Sequence, residues 1–184
     1  MSELDKELAI NQYLCDTAEY DMDALDNAEK NNFETVDEQF NDSFTPYGVL
    51  LNKSGVCASY AGAFKLLADE AGLESIVVTG NLEGELPHAW NDGEWQIVDS
   101  TNNDNELIFN ALLNLPDKAA GKVLVEDDRY VLDTRIAHYQ APTDKMEYYR
   151  LQNKYFQKDQ IADSLTAELK KGNAAVLRTD YDLN

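Results

Sequence analysis

The sequence predicts an α+β domain in which a helix that begins near Cys57 packs on an antiparallel β-sheet, with further helices flanking both. After Cys57 the apolar residues follow the helical spacing i, i+3, i+4, i+7 until Gly72. From Ser75 to Asp99 the chain is rich in β-branched and aromatic residues around an Asp-Gly turn. Helical and strand patterns therefore occupy adjoining parts of one chain.

Length and composition indicate a single domain, residues 1–184, with a core of ordinary size. The chain has 184 residues, of which 43% are hydrophobic, and a formal net charge of -20. Nucleic acids and anionic membranes bind basic surfaces, so this charge argues against both as partners. The sequence shows no signal peptide and no membrane-spanning run. It does not predict an oligomeric state.

Cysteine usage excludes a disulfide framework. The chain has two cysteines, Cys15 and Cys57, and neither belongs to a Cys/His cluster with the spacing of zinc ligands. We therefore expect no metal and no other cofactor. Cys15 lies on the apolar side of the first helix, which predicts a packing role.

The remaining elements follow from local patterns. Residues 3–30 are predicted to be helical with a bend near Tyr20, residues 31–46 form a loop, and residues 75–80 form a buried strand. Beyond Asp99 the patterns predict strands at 107–109, 123–125 and 130–132, helices at 144–157 and 160–171, and a last strand at 174–178.

Cys57 is predicted to lie in the first turn of its helix. Ser54 is the expected N-cap, with Gly55 and Val56 as the first helical positions. Unpaired N–H groups and the positive end of the helix dipole lower the pKa of a thiol at this place. The alternative is that Cys57 is a small buried core residue on the apolar stripe.

The Asp92-Gly93 turn predicts a two-residue hairpin loop. In that register Trp90 pairs with Trp95 and His88 with Ile97, so these four side chains project to one face together with Asp99. Asp99 is then a diagonal neighbour of His88, within reach of a hydrogen bond. If this face covers the start of the Cys57 helix, the chain holds a nucleophile, a base and a group that orients the base.

Three ordered motifs carry a resemblance to a known family. Gly55-Val56-Cys57-Ala58-Ser59-Tyr60-Ala61, His88-Ala89-Trp90-Asn91 and Trp95-Gln96-Ile97-Val98-Asp99-Ser100-Thr101 resemble the core of the transglutaminase-like superfamily, which has a papain-like fold. The resemblance is strong over residues 47–104. The interval between His88 and Asp99 is shorter than in bacterial relatives of this family, so the hairpin is trimmed.

The resemblance implies roles for individual residues. Cys57 is the implied nucleophile, His88 the general base and acid, and Asp99 the residue that orients the imidazole. The family's oxyanion hole uses the N–H of the cysteine and a second, upstream donor. Tyr47 and Trp90 are the candidates for the remaining oxyanion and substrate-binding contacts.

The implied chemistry is acyl transfer on a protein or peptide substrate through a thioester. An amine acceptor makes the protein a transglutaminase, and water makes it a protease or amidase. Two alternatives stay open: an idle domain that serves as a binding or spacer module of a surface protein, and a zinc site formed by Cys57, His88 and Asp99. The family resemblance favours an exported or cell-surface protein of bacterial type.

Overall fold

The structure is a computed structural model. It describes residues 1–80, 84–91, 94–105, 107–122, 140–172 and 174–179. Within the strands, the side chains of residues 79, 80 and 84–91 lie outside this description.

Two helices open the chain. Helix α1 spans Glu3–Thr17 and begins with a capping box, in which Asp5 N–H donates to Ser2 Oγ and Ser2 N–H donates to an Asp5 carboxylate oxygen, both at 3.1 Å. Helix α2 spans Met22–Lys30. The bend predicted near Tyr20 is a two-residue strand, β1 (Glu19–Tyr20), between the two helices.

The approach to Cys57 is more regular than a loop. It contains a 3-10 helix (Glu38–Phe44), a π-helical turn (Gly48–Asn52) and strand β2 (Ser54–Gly55), and helix α3 then spans Cys57–Glu70. The prediction that Ser54 caps α3 is wrong, since Val56 is the N-cap. Ser54 is extended because β2 pairs in parallel with β1.

The main sheet has four antiparallel strands in the order β3-β4-β5-β6. Their bounds are Ser75–Gly80, Gly84–Asn91, Glu94–Val98 and Leu113–Leu115. The predicted hairpin register is confirmed, with His88 opposite Ile97 and Trp90 opposite Trp95. Asp92 and Gly93 lie outside the described residues.

The remaining elements of the described residues are short. They are α4 (Ser100–Asn103), α5 (Asp117–Ala120), α6 (Tyr148–Leu151), β7 (Tyr155–Phe156), a 3-10 turn (Lys158–Gln160), α7 (Ile161–Leu169) and β8 (Arg178–Thr179), which pairs in parallel with β7.

Three predictions in this part need correction, and two fall on residues that are not described. Residues 107–109 form a turn instead of a strand, because the Asn105 side chain accepts hydrogen bonds from the N–H groups of Leu107 and Ile108.

The helix predicted at 144–157 is reduced to α6, which ends before Asn153, a residue with a positive φ of 55°. The last strand covers 178–179 instead of 174–178. The strands predicted at 123–125 and 130–132 lie outside the described residues.

The main core lies between α1, α3 and the sheet. Ile10 and Leu14 of α1 belong to one buried cluster with Tyr60 and Phe64 of α3 and with Val98 of β5. This packing fixes α1 against α3 and both helices against the sheet. In the part of the chain that the structure describes, the helices are too short or too polar to cross a membrane.

Candidate active site

Cys57 is the first residue of α3, and it is partly exposed. Val56 caps the helix without a side-chain hydrogen bond. A helix of 14 residues therefore directs its positive end at the thiol. The structure confirms the predicted place in the first turn, and the partial exposure of Cys57 differs from that of the core residue that the alternative describes.

Tyr20 lies near Cys57, because β1 pairs with β2. Its hydroxyl lies close enough to the side chain and the backbone N–H of Cys57 for both to influence its pKa. Burial, followed by the influence of the nearby Cys57 side chain, raises the pKa of Tyr20 to about 12. The phenol therefore stays protonated at any pH at which a protein of this kind is studied.

Asp99 follows the last residue of β5 and is 1% exposed. One carboxylate oxygen accepts the backbone N–H of Asn102 at 3.1 Å, and the other accepts the Asn102 side-chain amide at 2.6 Å. Asp99 is thus the N-cap of α4. Its charge also raises the pKa of Tyr20, although less than burial and Cys57 do.

The two residues predicted on the neighbouring strand are placed by their backbone only. His88 and Trp90 belong to β4, which pairs with the strand that leads into Asp99. Their side chains lie outside the part of the chain that the structure describes. The orientation of His88 towards Cys57 and a role of Trp90 in substrate binding therefore stay predictions.

Tyr47 and Tyr20 differ in their surroundings. Tyr47 directly precedes the π-helical turn and is 50% exposed, and its oxyanion role stays a prediction. Sequence analysis missed Tyr20, which reaches Cys57 because β1 pairs with β2. A two-residue strand carries no periodicity, so no local signal marks this contact.

Cys15 has the surroundings of a structural cysteine. It is buried, and its Sγ lies 3.7 Å from the carbonyl oxygen of Ser100. Burial, together with the charges of nearby Asp104 and Asp16, raises the pKa of Cys15 to about 12. Among the described residues, no group of three His, Cys, Asp or Glu side chains is placed to hold a metal ion.

Comparisons with known proteins agree with the motifs. The family model described as Transglutaminase-like superfamily matches residues 1–100. The kyphoscoliosis peptidase of Mus musculus is 30% identical over 115 residues, which cover 54% of this chain, and that of Homo sapiens is 29% identical over 115 residues. The matched stretch spans 16% of the length of either relative.

One solved structure is also similar to this chain. It is described as a crystal structure of a TGase, and it matches with a TM-score of 0.48 and 20% sequence identity. The match covers 70% of this chain and 32% of that one.

The two cysteines are expected to differ sharply towards iodoacetamide at pH 8. With a pKa of about 12, only about one Cys15 thiol in ten thousand is ionised at this pH, whereas Cys57 is partly exposed at a helix start. Peptide mass spectrometry of the native protein should find the label on Cys57 alone. Labelling of Cys15 at a comparable rate, in protein that remains folded by circular dichroism, would contradict this description of the two sites.

Proposed function

We propose that this chain, which belongs to the transglutaminase-like superfamily, catalyses acyl transfer from protein or peptide carbonyl groups through a thioester on Cys57. One observation carries the proposal: a partly exposed thiol begins α3, and the buried carboxylate of Asp99 directly follows the strand that pairs with the strand of His88. An idle binding module has no need of a thiol held in this way, so that alternative is not favoured.

The first step of the proposed reaction is formation of the thiolate. The positive end of α3 favours the ionised form of Cys57. By the family resemblance, His88 accepts the proton, and the resulting imidazolium stabilises the thiolate. Asp99 is buried, and its charge is compensated by two hydrogen bonds from Asn102, so it is suited to orient an imidazole without moving.

In the second step the thiolate attacks the carbonyl carbon and the carbonyl oxygen becomes negative. The N–H of Cys57 points to the place where this charge develops. The Tyr20 hydroxyl is near enough to that N–H for the N–H to influence its pKa, so the phenol lies close to the position of the oxyanion. A phenol that stays protonated can turn its proton to the oxyanion, and we assign Tyr20 as the second donor.

The third step releases the first product and resolves the thioester. His88 protonates the departing amine, and an amine or water then attacks the thioester and restores the thiol. Both relatives are named peptidases, which supports water as the acceptor. The superfamily name supports transamidation equally, so the acceptor has to be measured.

An assay that reports both outcomes tests the proposal. Purified protein is incubated with casein and a labelled primary amine; labelled casein reports transamidation, and new amino termini report hydrolysis. We expect one of these products from the unaltered chain. Loss of the nucleophile in Cys57→Ser should lower the rate by roughly 10⁶-fold, below detection.

The matched control is Cys15→Ala, which removes the other cysteine and should retain activity. Product formation that survives in Cys57→Ser would overturn the proposed chemistry. Absence of both products in the unaltered, folded chain would favour the binding-module alternative.

Tyr20→Phe separates the oxyanion role from the role in packing. The substitution keeps the ring and removes the hydroxyl, so the rate constant for acylation by p-nitrophenyl acetate should fall roughly 10²- to 10³-fold, the usual cost of one oxyanion donor. Alkylation by iodoacetamide forms no oxyanion and should keep most of its rate. Stopped-flow release of p-nitrophenol and peptide mass spectrometry measure the two rates.

Tyr47→Phe is the matched control, because Tyr47 is the other candidate donor. It should acylate at the rate of the unaltered chain. Slow acylation in Tyr47→Phe together with normal acylation in Tyr20→Phe would reverse the assignment.

A further inference from the structure

We propose that Asn11, a fully buried residue of α1, is a positioning residue that sets Asp99 relative to Cys57. This inference rests on the function proposed above, because it concerns the same site. Asn11 lies outside the three motifs and contributes no group to the reaction itself.

The position of Asp99 depends on α4. Both carboxylate oxygens of Asp99 are held by Asn102 in this helix. Helix α4 has four residues, and a single turn has no stability of its own. Whatever holds α4 in place therefore also holds the carboxylate.

Asn11 is hydrogen-bonded to the first and the last residue of α4. Its Oδ1 accepts a hydrogen bond from Ser100 Oγ at the first residue and from Asn103 Nδ2 at the last, each at 3.0 Å. Its Nδ2 donates to Asn110 Oδ1 at 2.8 Å. All four residues are buried, so water cannot replace these bonds without a rearrangement.

Two further hydrogen bonds connect Asn103 with the backbone of Asp99. Asn103 Oδ1 accepts the N–H of Leu112 at 2.7 Å, and the carbonyl of Leu112 accepts the N–H of Asp99 at 3.0 Å. The amide of Asn11 is thus connected to Asp99 along α4 and through Leu112, which lies in the turn before β6. Few side chains could replace Asn11, since the site requires an acceptor of two bonds and a donor of one on the same short stem.

Helix α1 also holds the helix that carries the nucleophile. Ile10 and Leu14, on either side of Asn11 in sequence, belong to the core cluster that includes Tyr60 and Phe64 of α3. Helix α1 is therefore the common support of Cys57 and Asp99. Loss of the Asn11 hydrogen bonds to α4 lets Asp99 move while α3 stays packed. The interaction of Asp99 with the imidazole is then weaker, and the imidazolium stabilises the thiolate less.

The test measures the pH midpoint of iodoacetamide alkylation at the Cys57 peptide in a double-mutant cycle. Asn11→Ala should raise the midpoint in the same direction as Asp99→Asn. The double variant should have the midpoint of Asp99→Asn alone, because Asn11 acts only through Asp99. A full sum of the two shifts, or no shift in Asn11→Ala, would overturn the positioning role.

Glu7→Gln is the matched control. Glu7 is a buried polar residue one turn earlier on α1, and one of its carboxylate oxygens accepts a hydrogen bond from Asn114 at 3.2 Å, away from α4. The Glu7→Gln variant should leave the midpoint unchanged. A shift equal to that of Asn11→Ala would mean that any loosening of α1 has the same effect, and would also overturn the inference.

Ser100→Ala is the second variant for this measurement, to be used if Asn11→Ala does not fold. It removes one of the three bonds of Asn11 and should raise the midpoint by a smaller amount, and an unchanged midpoint counts against the proposal. A midpoint of the unaltered chain at the ordinary thiol value of about 8.5 would overturn the proposed function as well. A lower midpoint that none of the variants moves would overturn the role of Asn11 alone.

Discussion

The start of α3 is fixed by a parallel pairing of two residues from each of two short strands. The N–H of Glu19 donates to the carbonyl of Lys53 at 3.0 Å, and the N–H of Asp21 donates to the carbonyl of Gly55 at 3.1 Å. The pairing ends two residues before Cys57, so it determines where the helix begins and places Tyr20 beside the thiol. At Gly55 a Cβ would lie 2.6 Å from the Ser59 side chain, which explains the glycine at this close approach. The place of Cys57 at the helix start and its contact with Tyr20 both depend on this short ladder.

A second constraint is the polar interior of α1. Glu7 and Asn11 are buried in a helix whose Ile10 and Leu14 form part of the core. Buried amides and carboxylates are costly unless they are paired. Here the Asn11 amide pairs with α4 and with the turn that follows it, which joins the N-terminal helix to the segment that carries Asp99. Helix α1 therefore contacts both α3, which begins with Cys57, and α4, which is capped by Asp99.

The elements that sequence analysis predicted well are those with a local cause. The apolar spacing after Cys57 predicts α3, and the two-residue turn predicts the pairing of His88 with Ile97, because turn length determines register. The features that the sequence does not predict depend on contacts between residues that are far apart in the chain. Tyr20 meets Cys57 through a pairing with residues far along the chain, and Ser54 is drawn out of the helix by the same pairing. Leu107 belongs to an apolar triplet that resembles a strand, yet it is 81% exposed in a turn set by Asn105.

The proposed chemistry depends most directly on the ionisation of Cys57. The measurement is the ultraviolet absorbance of the thiolate against pH, taken as the difference between the unaltered chain and Cys57→Ser, and repeated in His88→Ala. We expect the thiol to ionise well below the ordinary thiol pKa of about 8.5, and its pKa to return towards that value when the imidazole is removed. Ionisation at or above the ordinary value in the unaltered chain, unchanged in His88→Ala, would contradict the proposed chemistry.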